Sequence, residues 1–93
     1  MEYRITYNNT FFEHFYQMTD DEQRLIARKI EILKANPDHR SLRTKVLRLK
    51  KGVKYESSVN MDIRLIWQLD GDQIILGDVG HHDMLKNKKL RRR

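Results

Sequence analysis

Ninety-three residues, 39% of them apolar and 34% charged, leave room for one hydrophobic core and exclude a second domain of ordinary size. The absence of cysteine excludes disulfides and thiolate metal sites, and no apolar run approaches the ~18 residues that span a bilayer or the stretch of a secretion signal, so a cytoplasmic protein is expected. A net charge of +6 is spread unevenly: thirteen of the nineteen basic residues lie in residues 40–54 or after Asp83. The acids gather in the first 38 residues and around Asp62 to Asp83, a polarity suited to phosphate backbones or to a long acidic partner.

Tyr3, Ile5 and Tyr7 alternate with Arg4 and Thr6, the period of a half-buried strand. Phe11, Phe15 and Met18 then take the i, i+4, i+7 spacing of one helical face, which predicts a helix over residues 9–18. Thr19-Asp20-Asp21-Glu22 reads as a capping box that opens a second helix. This helix carries Ile26, Ile30 and Leu33 on one face and stops at Asn36-Pro37, because the residue before proline disfavours α geometry.

Beyond Pro37 the period changes to two. Val46-Leu47-Arg48-Leu49 and residues 55–60 read as strands flanking Lys50-Lys51-Gly52, and residues 63–69 place Ile63, Leu65, Trp67 and Leu69 on one face with Arg64, Ile66 and Gln68 on the other. Asp70-Gly71-Asp72 predicts a tight turn into a last strand from Ile74 through Val79, ended by Gly80. The order βααββββ implies an α+β domain with a helical hairpin on one face of a mainly antiparallel sheet, leaving the other face for a ligand.

The sequence holds no phosphate-cradling glycine loop, no Ser or Cys nucleophile motif and no spaced metal cluster, so no cofactor is expected. His81-His82-Asp83 fails as a chelate because neighbouring strand side chains point to opposite faces. His14 and His39 read most simply as surface residues. Attack of a ribose 2′-hydroxyl on its own 3′-phosphate needs a proton acceptor, a proton donor for the leaving oxygen and cations for the phosphoryl charge, and no metal is required. Histidine can take either proton role at neutral pH and arginine offers a fork matched to phosphate, so His82 and Arg64 are candidates. The bland readings are a helix cap or a turn residue for His82 and an ion pair on an open sheet face for Arg64.

With Leu49-Lys50-Lys51-Gly52, the run from Tyr55 through Arg64 to Trp67, and Val79-Gly80-His81, the βααββββ order resembles the RelE/ParE superfamily of bacterial toxins across the whole chain. That family commonly reads Leu-Lys-Gly, then Glu-Leu-Arg-Val leading to Tyr-Arg-Val-Ile-Tyr, then Val-Gly-His. The resemblance implies a single toxin domain over residues 1–93, with a basic tail at 86–93, neutralised by a cognate acidic antitoxin. In the RelE branch such a toxin cleaves mRNA on the ribosome as a metal-independent endoribonuclease and inhibits translation. By residue, Arg64 matches the arginine placed against the scissile phosphate and His82 a catalytic histidine. Glu56 matches a frequent acid that serves as base or orienting group. Lys50, Lys51, Lys54 and Arg48 fall in the basic stretch expected to meet RNA phosphates. Ser58 stands where a second arginine is frequent, and residues 84–93 contain no tyrosine. Two other readings follow from the same resemblance: a ParE-like inhibitor of DNA gyrase, and a toxin-fold binding module without catalysis.

Overall fold

The computed structural model describes residues 2–83. Strand β1 (Arg4–Tyr7) leads into helices α1 (Asn9–Phe15) and α2 (Asp20–Ala35). A single 3₁₀ turn (Arg40–Leu42) then precedes four strands, β2 (Lys45–Leu49), β3 (Gly52–Ser58), β4 (Ile63–Asp70) and β5 (Gln73–His81). They form one sheet in the order β1-β5-β4-β3-β2, antiparallel at every pairing except the parallel β1–β5 contact at its edge. The expected α+β architecture is the one observed.

Helix α2 begins where the capping box places it. The Thr19 hydroxyl accepts the Glu22 amide at 3.1 Å, and the Glu22 carboxylate accepts the Thr19 amide at 2.9 Å. Asn36 leaves helical geometry just before Pro37. Helix α1 is shorter than its apolar spacing suggests. It ends at Phe15, and the Gln23 side-chain amide donates to the carbonyls of Phe15 and Met18 at 3.1 and 3.2 Å, which satisfies groups that a longer helix would have paired internally. Met18 nonetheless packs against the core from the loop.

Ile26, Ile30 and Leu33 of α2 and Phe11 of α1 bury against Ile63, Leu65 and Trp67 of β4 and Ile74, Leu76 and Val79 of β5, with Leu42 sealing one end. Each such side chain contributes roughly 1.5–3 kcal/mol relative to exposure, so one layer of helices on one sheet face accounts for the core. Strand β5 departs from simple alternation. Ile66 faces Asp78 while Trp67 faces Leu76, leaving Gly77 as a bulge. That extra residue brings both Leu76 and Val79 to the core, three positions apart. The strand also continues through Gly80 to His81 rather than ending at Gly80, and β3 starts at Gly52, three residues before the alternation becomes apolar. Among the described residues no helix is long and apolar enough to cross a membrane.

Candidate functional site

The ladder register fixes which residues share the face away from the helices. One rung runs Ser58, Arg64, Gly80 and the next runs Lys45, Glu56, Ile66. Arg64 and Glu56 therefore lie diagonally on the same face, opposite to the core stripe, as the period of two requires. Arg64 sits between two small residues, and Gly80 offers no side chain at the position opposite it. The Arg64 guanidinium turns toward the β3–β4 turn, with Nη1 donating to the carbonyls of Asn60 at 2.7 Å and Ile63 at 3.2 Å. Glu56 is only 6% exposed, so the acid is packed into the sheet surface instead of projecting from it.

Two adjacent histidines stand at the end of β5. His81 points back toward α2: its Nδ1 is 2.5 Å from an Asp62 carboxylate oxygen and its Nε2 is 3.5 Å from the Glu22 carboxylate. His82 follows directly on the last residue of β5. Its amide donates to the Asp62 carbonyl at 2.6 Å, and its half-buried imidazole lies 3.9 Å from the Asp83 carboxylate. The hydrogen bond from His81 holds the Asp62 carboxyl below the usual carboxylate range, against a smaller opposing effect of desolvation. The His81 charge, the His82 amide and the Arg64 guanidinium act in the same direction as that bond. Asp62 is thus the group in contact with both histidines and in the field of Arg64.

The basic residues of the β2–β3 hairpin divide between its faces. Lys54 pairs with Leu47 on the face of Glu56, whereas Arg48 pairs with Val53 on the face of Tyr55 and Trp67. Lys50 and Lys51 form the exposed turn between the strands, where Gly52 at φ 134° takes a conformation open to glycine. Lys54 thus stands on the open side and Arg48 on the other. The basic tail at residues 86–93 lies outside the described residues.

Two pairings escaped the sequence reading. His14 is no simple surface residue: its Nδ1 lies 2.5 Å from the carboxylate of Asp78, which is 8% exposed and also accepts the Val79 amide at 2.8 Å. The available signal was the acid itself, since Asp78 inside an apolar strand demands a partner. The contacts of Asn60 and Asp62 had no signal beyond their turn-forming types. His39 behaves as a local cap, its ring nitrogen accepting the Ser41 amide at 3.1 Å.

On the open sheet face a half-buried guanidinium can meet a phosphate, an imidazole follows two residues past its ladder partner, and the lysine-rich turn stands at the other end of β3.

No family model matches the sequence, and no curated protein matches it either. Solved structures do match. The chain is similar to a chain of the archaeal RelE–RelB complex from Pyrococcus horikoshii, with 16% identity and a TM-score of 0.72 over 87% of this chain and 96% of that one. It is similar to a chain of the RelBE2 toxin–antitoxin complex from Mycobacterium tuberculosis, with 15% identity and a TM-score of 0.74 over 88% of this chain and all of that one. The DinJ–YafQ toxin–antitoxin complex from E. coli gives 15% identity and a TM-score of 0.74, covering 91% of this chain and 98% of its match. From β1 to the end of β5, then, the chain has the fold of the RelE-like toxins.

Proposed function

We propose that this protein is the toxin of a toxin–antitoxin pair and acts as a ribosome-dependent mRNA endoribonuclease that inhibits translation. The observation that carries the reading is the rung Ser58–Arg64–Gly80. It sets a guanidinium on the open face of a RelE-like fold, with Glu56 diagonal to it on the same face and His82 two positions beyond Gly80. Arg64 takes the charge gathering on the phosphoryl oxygens. The 2′-oxygen loses its proton as its bond to phosphorus forms, the bond to the 5′-oxygen breaks, and that oxygen receives a proton. Protein groups need only supply the two proton transfers, for which His82 and Glu56 are the partners. Lys50, Lys51, Lys54 and Arg48 hold RNA phosphates through salt-sensitive contacts. An acidic antitoxin complementing residues 40–54 is the natural partner, in keeping with neighbours solved as toxin–antitoxin complexes.

Expression of wild type, Arg64→Ala and His82→Ala from a tight promoter tests this, with growth followed alongside primer extension on an abundant message. Growth arrest with new 5′ ends inside coding frames is expected of wild type alone, with the variants' cleavage lowered by about 10²–10³-fold. Arrest without cleavage refutes the nuclease reading and turns attention to gyrase. Ser58, directly opposite Arg64, supplies no second guanidinium, which favours a non-catalytic binding module as the second reading. Absence of any arrest would establish that one.

A further inference from the structure

The residues given roles above sit on three strands, yet their fixed points converge on four residues. The β3–β4 turn, residues 59–62, is closed by the Val59 amide donating to the Ile63 carbonyl at 2.9 Å. Inside it the Asn60 side-chain oxygen accepts two amides, from Asp62 at 2.8 Å and Ile63 at 2.7 Å, which sets the path of the turn. The Asn60 carbonyl, aimed by that path, receives the Arg64 guanidinium. The Asp62 carbonyl receives the His82 amide, and the Asp62 carboxylate grips His81, whose other ring nitrogen faces Glu22 in the capping box of α2. Asn60 and Asp62 are both exposed and add nothing to the core. Three of these contacts leave the turn for the two sides of the site, which a turn needed only to join two strands would not require.

We propose that Asn60 and Asp62 are positioning residues, and that the turn they build is the shared mount fixing the Arg64 guanidinium relative to the His82 imidazole. The proposal rests on the ribonuclease reading of the same site. In the free protein the mount also parks Arg64 on two neutral carbonyls, partners that a phosphate displaces because a charge-assisted, two-pronged contact is the stronger one. Arginine thus starts each turnover from one defined rotamer. The His81 contacts restrain the end of β5 from the helix side, so the backbone of His82 is held both by its own amide and through its neighbour.

The test is single-turnover cleavage of a message on programmed ribosomes, comparing wild type with Asn60→Ala, Asn60→Asp, Asp62→Asn and Arg64→Ala. Ile26→Val serves as a variant destabilised in the core. Asn60→Ala is expected to lower the saturating rate by about 10–100-fold, the cost of ångström-scale misplacement, with little change in the half-saturating ribosome concentration. Asn60→Asp keeps an acceptor for both amides and should recover most of that rate. Amide hydrogen exchange at His82 should accelerate in Asn60→Ala and Asp62→Asn but not in Ile26→Val. Cleavage lost in Arg64→Ala but retained in Asn60→Ala overturns the positioning role alone. So does a loss in Asn60→Ala that Ile26→Val reproduces at matched melting temperature. Wild type that leaves the message intact, as Arg64→Ala does, overturns the ribonuclease reading and the positioning role together.

Discussion

Removing a single oxygen from Ser57 should destabilise the protein out of proportion to its size. Ser57 is fully buried on β3, and its Oγ accepts the indole N–H of Trp67 at 2.9 Å while lying 2.7 Å from the Thr44 hydroxyl. Trp67 is itself only 3% exposed, so Ser57→Ala leaves its N–H without a partner and without water, a penalty of roughly 1–3 kcal/mol. For a domain of this size each kcal/mol moves the melting temperature by about 4–8 °C, so a fall of ~10 °C is the central expectation. Thr44 is exposed and can turn to water, hence Thr44→Val should cost at most ~1 kcal/mol. Trp67→Phe removes the donor, so in its background Ser57→Ala loses its main penalty. A double-mutant cycle by circular dichroism in urea should give a coupling of ~1 kcal/mol or more. Additive losses, or a Ser57→Ala variant within ~0.5 kcal/mol of wild type, would show that the buried N–H is satisfied some other way.

Thr19→Ala removes one half of the capping box and should lower stability by about 1 kcal/mol in chemical denaturation. Gly71 stands at φ 62° with open space where a Cβ would go, so Gly71→Ala should cost ~1 kcal/mol through backbone strain, with no change of structure by crystallography. Because the Asp62 carboxyl is held below its ordinary range, its contribution is present above that range and fades only as pH falls through the lowered value. Asp62→Asn should therefore be less stable than wild type at neutral pH, and the two melting curves should converge only in strong acid. If Lys50 and Lys51 each hold a phosphate, replacing both by alanine should reduce the slope of log affinity for RNA against log salt by about 2.

The helical half was legible because its signals are local. Thr19 and Glu22 declare the start of α2, Pro37 its end, and Ile26, Ile30 and Leu33 its buried face, all within a few turns of chain. The end of α1 was not, because Gln23, in the next helix, supplies the group that caps it. Pairing likewise decides the strands: Gly52, Val53 and Lys54 join β3 through their partners on β2, not through any apolar pattern. The register break at Gly77 hid the length of β5, since Leu76 and Val79 are both core residues at a spacing that neither two nor 3.6 describes. At the site, alternation along β4 placed Arg64 on the open face, and Glu56 follows from its register with Ile66. The grip of Asp62 on His81 and the tie of His14 to Asp78 join residues far apart in sequence, for which residue type alone gives no address.

The parallel contact at the edge of the sheet has a consequence for the order in which the molecule can come together. Arg4 opens the first strand of the sheet, and its ladder partner Gln73 opens the last. The first strand must wait for most of the chain, and closing so wide a loop is slow relative to forming the α2 helix or the β2–β3 hairpin. The end of β5, where His82 meets the β3–β4 turn, is later still. A nascent chain of this sequence therefore carries a helix and a basic hairpin well before it carries the arrangement around Arg64, and whatever that arrangement does begins only once β5 has been made.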